Sequence, residues 1–77
     1  MNHEIKLYTT PTWPACHQVK EFLSRKNANY TEFDVAKDTN AREEMINMTG
    51  KSAVPVVLVD DEVMVGFDPN KLNEILH

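Results

Sequence analysis

Trp13-Pro14-Ala15-Cys16 decides how this chain is read. A proline suits the first position of a helix, where its missing N–H would have no partner anyway. Apolar residues follow at Cys16, Val19, Phe22 and Leu23, which is helical spacing. The spacing predicts a helix that opens at Pro14 and ends at Asn27 to Asn29. Cys16, Val19 and Leu23 share its inward stripe, so Cys16 reads from the residues as a buried, inert thiol. Trp13 stands at the helix entrance. His17, four residues on, shares its face, and the two rings can stack if Trp13 is the cap.

Upstream, Ile5 to Thr9 reads as a short strand with Ile5 and Leu7 on one face, followed by a loop from Thr10 to Thr12. Downstream, Tyr30 to Val35 is a second strand. Asp38, Thr39 and Asn40 compete to cap a second helix, with Asn40 and Glu43 at capping-box spacing. Met45 and Met48 lie on its inner face, and Gly50 closes it. Val54 to Val59 is a near-continuous apolar strand, typical of a sheet centre. Asp60-Asp61 is a two-residue turn into a fourth strand, Glu62 to Val65. Asp68 and Pro69 supply a cap and first position for a last helix that buries Leu72, Ile75 and Leu76. The expected order is β-α-β-α-β-β-α in one domain, residues 1–77. The first two strands should be parallel with a right-handed crossover.

The chain has 77 residues and a formal net charge of −4. That balance argues against non-specific nucleic-acid binding and against anionic membrane surfaces. No apolar run reaches transmembrane length, and the Met1-Asn2-His3-Glu4 start lacks the pattern of a signal peptide. A lone cysteine forms no intramolecular disulfide, so cytoplasmic residence is expected. A monomer is the default, with a Cys16-linked dimer requiring that the first helix expose that sulfur. His3, His17 and His77 are scattered, and no metal site is expected. Met45, Met48 and Met64 read as core filler rather than copper ligands. Glu43-Glu44 and Asp60-Asp61-Glu62 read as solvated charge. No phosphate-binding glycine loop is present.

The element order, with Trp13-Pro14-Ala15-Cys16 opening the first helix and Ala53-Val54-Pro55 opening the third strand, resembles the glutaredoxins. Tyr8-Thr9-Thr10, His17 and Gly66-Phe67-Asp68-Pro69 are similar to short bacterial glutaredoxin-like proteins and to the NrdH redoxins, which supply electrons to ribonucleotide reductase. The resemblance spans nearly the whole chain. It implies the α/β thioredoxin fold, a four-stranded mixed sheet with three helices. It also implies thiol–disulfide exchange with disulfide-containing or glutathionylated proteins. From the residues alone Pro55 could be a trans proline beginning a strand; with the resemblance it is predicted cis. Val54 would then offer its backbone N–H and C=O to an extended thiol peptide.

The family mechanism implied by the resemblance starts at position 13. A thiolate there is stabilised by the helix N-terminus, attacks a disulfide, and is resolved by a second thiol at the position of Cys16. Trp13 supplies no such nucleophile. Three readings of it stay open: a lost nucleophile, engineered or natural; a selenocysteine whose UGA codon is rendered as tryptophan; or an aromatic surface for stacking a ligand. The leading expectation is a glutaredoxin-class oxidoreductase whose tryptophan form is inactive. The alternative is a non-catalytic thiol- or peptide-binding module.

Glutathione, the co-substrate implied by the family, carries carboxylates at both ends and a cationic amine. The resemblance assigns Asp68 to the amine and counts Val54, Pro55, Gly66 and Phe67 among the glutathione-binding residues. Lys51 is the candidate cation, and no covalently bound cofactor is expected. Asp68 also reads as an N-cap and Lys51 as a solvated lysine. Thr10 stands where many glutaredoxins have lysine, Val65-Gly66 where many have two glycines, and Ala15 where an aromatic is common. These departures bring thioredoxin reductase, as in the NrdH redoxins, into contention as the electron donor.

Overall fold

Alternation along β1 (Ile5–Thr9) divides the core. Ile5 and Leu7 point into one hydrophobic cluster and Tyr8 into another, as the period-two geometry of a strand requires. The structure, a computed structural model, describes residues 4–76. After β1 come α1 (Pro14–Arg25), β2 (Thr31–Asp34), α2 (Thr39–Thr49), β3 (Val56–Val59), β4 (Glu62–Val65) and α3 (Pro69–Ile75). His3 and His77, considered above as metal ligands, lie outside the described residues.

The sheet order is β2-β1-β3-β4. β1 and β2 are parallel, with Lys6 opposite Thr31 and Tyr8 opposite Phe33. β3 runs antiparallel to β1, pairing Val57 with Leu7, and β4 returns against β3, pairing Met64 with Val57. Asp60 takes the positive φ of 55° that the tight β3–β4 turn requires. The fold is the expected α/β mixed sheet with three helices.

One cluster gathers Val19 and Leu23 of α1 and Leu72 of α3 against Ile5, Leu7, Val57, Val59 and Met64. Phe22 meets Phe67 edge-on at 6.0 Å, and Lys26 Nζ reaches Asn73 at 2.9 Å, so α1 and α3 are joined above the sheet. The other cluster sets Ala41 and Met45 of α2 against Tyr8, Val35, Val54 and Val56. Cys16, although on the same stripe as Val19 and Leu23, packs into this second cluster. Lys20 of α1 pairs with Glu32 of β2 at 3.0 Å, and that hydrogen-bonded carboxylate raises the lysine above its ordinary value.

Three boundaries differ from the sequence expectation. β3 begins at Val56 rather than Val54 because Pro55 has no N–H for the ladder. β2 is shorter than Tyr30 to Val35; Val35 N–H still bonds the Thr9 carbonyl at 3.0 Å, and the chain then turns at Asp34, whose Oδ1 accepts from Ala36 N–H. Asp38, not Asn40, caps α2, its Oδ1 accepting from Ala41 N–H at 3.0 Å. Asn40 therefore lies inside the first turn, and its capping box with Glu43 does not form. Ile75 and Leu76 pack against the core only partly buried, whereas Leu72 is fully enclosed.

Candidate functional site

The site begins at the uncapped end of α1. Trp13 is the N-cap, in extended conformation at φ −104° and ψ 124°, and its side chain makes no capping hydrogen bond. Its carbonyl accepts from Cys16 N–H at 3.1 Å, and Pro14 follows at the first helical position. Pro14 has no N–H and Cys16 N–H is taken by the Trp13 carbonyl, so the first-turn donor left for a side-chain cap is Ala15 N–H. An indole has no lone pair to give it, since its only polar atom is a donor. The ring is instead 51% exposed, one of two large hydrophobic side chains left so among the described residues.

Against it lies a groove of about 190 Å³, walled by Trp13, Thr10, Val54, Ser52, Met45 and Arg42. The Val54–Pro55 peptide is cis, as the sequence reading expected. Val54 is buried and Pro55 fully so. The Pro55 carbonyl accepts from Gly66 N–H at 2.7 Å, which ties the loop after β4 to this turn. Gly66 takes a φ of 80°, a conformation that favours glycine.

The remaining candidates divide. Cys16 is 1% exposed beneath the groove, among Tyr8, Val35, Met45 and Val54, so its thiol is shielded from solvent. Asp68 is exposed but occupied: its Oδ1 accepts from Asn70 and Lys71 N–H, both at 3.2 Å, as the cap of α3. Phe67 turns toward Phe22 and the core rather than toward Trp13. Lys51 is not on the groove wall. Its N–H and C=O both bond the Thr49 hydroxyl in the turn after α2. The cation on the wall is Arg42, which sequence reasoning missed. It is the only basic residue of α2, exposed, and makes no ion pair among the described residues. Ser52 and Thr10 were likewise not assigned to the wall.

His17 Nε2–H donates to the Pro11 carbonyl at 3.2 Å and so braces the loop that delivers Trp13. Thr10 and Thr12 hydroxyls meet at 3.2 Å in the same loop. A wider hollow of about 520 Å³ lies between β2 and the start of α2. Its acids, Asp34 and Asp38, already hold the N–H groups of Ala36 and Ala41, so it is turn and cap structure. No group of three or more His, Cys, Asp or Glu side chains suited to a metal ion occurs among the described residues. No helix among them is long and apolar enough to cross a membrane.

Chemically, the arrangement offers an open helix start, the Arg42 cation and the cis Val54–Pro55 turn beside one exposed residue. A side chain at position 13 that could carry negative charge would meet the open Ala15 N–H and the positive end of the helix dipole there.

A sequence profile of the Glutaredoxin family matches residues 5–64. The chain is 39% identical over 72 residues to an uncharacterised glutaredoxin-like 8.6 kDa protein of the rubredoxin operon of Clostridium pasteurianum, covering 94% of this chain and 96% of that one. The crystal structure of the thioredoxin-like protein BC3987 superposes with a TM-score of 0.88 at 42% identity, covering 94% of this chain and 99% of that chain. The glutaredoxin-like NrdH-redoxin of Escherichia coli, described as having a thioredoxin-like activity profile, superposes with a TM-score of 0.83 at 27% identity, over 96% and 95% of the two chains.

Proposed function

Because the chain belongs to the glutaredoxin family, we propose that its site is built for thiol–disulfide exchange at position 13 and that tryptophan there silences the chemistry while leaving the binding groove intact. The observation that carries this reading is the N-cap of α1: exposed, beside Val54, with no side-chain acceptor for the first-turn N–H groups.

With sulfur at position 13, the thiolate would attack one sulfur of a disulfide and expel the other as a thiolate, leaving a mixed disulfide. A second thiol then attacks the sulfur at position 13 and releases the substrate thiol. That second thiol is Cys16, once its proton is lost, or glutathione from solution. Two electrons pass to the substrate, and glutathione or thioredoxin reductase restores the pair. Selenium at position 13 would follow the same course. Disulfide-containing or glutathionylated proteins are the proposed substrates, with ribonucleotide reductase among them, in the cytoplasm and as a monomer.

Glutathione suits the groove in charge. Arg42 would meet a glutathione carboxylate, and Val54 would pair its backbone with the extended peptide. Asp68 is already engaged by two N–H donors, which weakens its claim on the glutathione amine. Thioredoxin reductase therefore stays beside glutathione as the electron source, in keeping with the likeness to NrdH-redoxin.

The test is Trp13→Cys. Reduction of a small disulfide by glutathione, or by NADPH with thioredoxin reductase, should be at background in the tryptophan form. It should rise at least about 100-fold in the cysteine form, the scale of a gained nucleophile. Turnover by the tryptophan form refutes the reading. No gain in a folded Trp13→Cys variant leaves a binding module. The codon at position 13 separates selenium, as UGA, from tryptophan, as UGG.

A further inference from the structure

Tyr8 is fully buried, yet the catalytic reading gives it no part. Its ring stacks on Phe33 with centroids 5.2 Å apart. Its hydroxyl donates to Glu44 Oε1 on α2, and Lys6 Nζ approaches the same oxygen at 4.0 Å. Burial, with Glu44 beside it, raises the phenol above its ordinary value, so it stays a donor at neutral pH.

The apolar seat of α2 is soft. Its buried residues are Ala41, which is small, and Met45, which is flexible, with Ile46 and Met48 only partly covered. Such a stripe resists translation better than rolling. At 3.6 residues per turn, Glu44 and Arg42 lie on opposite flanks of the Ala41–Met45 stripe. The Glu44 flank is tied to β1, and the Arg42 flank walls the groove.

We propose that Glu44 is a positioning residue for the groove: by accepting the Tyr8 hydroxyl it fixes the roll of α2 on the sheet and so holds Arg42 beside Trp13 and Val54. The role rests on reading the groove as the ligand site.

Trp13 is the only tryptophan in the chain and stands in the groove, so its fluorescence reports the wall opposite. Iodide, an anion, quenches it more efficiently near positive charge, whereas neutral acrylamide reports exposure alone. Arg42→Gln should lower the iodide-to-acrylamide quenching ratio by about 1.5-fold, the local enrichment one partly screened charge produces. Tyr8→Phe changes no charge at neutral pH and should lower the ratio comparably, with no further fall in the double variant. Glu44→Ala removes a negative charge, which by itself would raise the ratio, so a fall identifies displacement of Arg42. Glu44→Gln keeps an acceptor and should not show that fall.

Thermal melts fix a temperature at which every variant is folded. Should Tyr8→Phe not fold, Glu44→Ala, at the half-exposed partner, decides the matter. An unchanged ratio in folded Tyr8→Phe, a rise in Glu44→Ala, or no response to Arg42→Gln each overturns the proposal. Glutathione titration of the unsubstituted chain tests the ligand-site reading separately, because absence of binding there leaves the quenching result standing.

Discussion

α1 and α3 open in the same way and finish differently. Each has an extended N-cap residue followed by proline at the first helical position: Trp13-Pro14 and Asp68-Pro69. Their cap dihedrals are close, φ −104° and ψ 124° against φ −124° and ψ 97°. At α3 the carboxylate accepts from two first-turn N–H groups; at α1 the side chain accepts from none. α2 sides with α3, since Asp38 accepts from Ala41 N–H. An aspartate cap contributes about 0.5–2 kcal/mol relative to a residue that cannot cap. The fold thus seals two helix starts and leaves open the one beside the groove, forgoing stability where an incoming anion would be held.

The largest consequence of that contrast concerns thiol reactivity. In Trp13→Cys the new thiol would be exposed, beside the open Ala15 N–H and at the positive end of the helix dipole, whereas Cys16 is 1% exposed in the core. Alkylation by iodoacetamide at neutral pH should label position 13 at least about 100-fold faster than Cys16, since the thiolate fraction and access both favour it. The pH profile of labelling should have its midpoint below the ordinary thiol value of about 8.5. Rapid labelling of Cys16 in the folded tryptophan form, or an ordinary midpoint for the new thiol, would erase the difference between the two helix starts.

α2 has a second attachment beside its cap, the Tyr8–Glu44 bond to β1, and pH separates it from the caps. Burial and Glu44 raise the Tyr8 phenol above its value in the unfolded chain. The folded state therefore keeps a proton that the unfolded state releases above pH about 10. That contribution is complete below pH 10 and is lost as pH rises toward the folded value. Between pH 9 and 11, melts of the parent protein should fall relative to Tyr8→Phe. The slope difference approaches at most about 1.4 kcal/mol per pH unit above pH 10. Parallel curves would mean that the phenol is not held as described.

The Asp68 cap was readable because capping is local: Asp68 stands directly before Pro69. Cys16 was readable as buried because its spacing to Val19 and Leu23 follows one helix face. Choosing among Asp38, Thr39 and Asn40 was not settled by pattern, since each can cap and the backbone entry angle decides. Arg42 escaped notice because an exposed arginine between Ala41 and Glu43 has no local mark. It becomes a wall residue only when α2 lies beside Val54. Lys51 is the opposite case: near Val54 in sequence, it does not line the groove, and its backbone is held in a turn by the Thr49 hydroxyl. The Tyr8–Glu44 bond spans 36 residues and leaves no signature in either stretch.

Removing the cap from the sealed helix should cost what the open one lacks. Asp68→Ala is expected to destabilise the protein by about 1 kcal/mol. For a domain of this size that is a fall in Tm of about 4–8 °C. Asp38→Ala should behave alike at α2. A neutral result at Asp68 would mean that its two N–H contacts at 3.2 Å carry little energy, and the contrast with Trp13 would then be one of shape alone.

The smallest effect has the opposite sign and is the most discriminating. Trp13→Asp gives α1 the Asp-Pro opening of α3 on a backbone already close to that of a capped start. The carboxylate can accept from the first-turn N–H groups and lies favourably in the helix dipole, a gain of about 0.5–1 kcal/mol. Little packing is lost in exchange, because the indole is 51% exposed. Urea denaturation should therefore show Trp13→Asp slightly more stable than the parent and still without disulfide reductase activity. A destabilised variant would mean that the indole contributes more by packing on the groove than a cap would add. In that case tryptophan serves as a stacking surface in its own right, and the helix start is closed by the ring rather than left open for an anion.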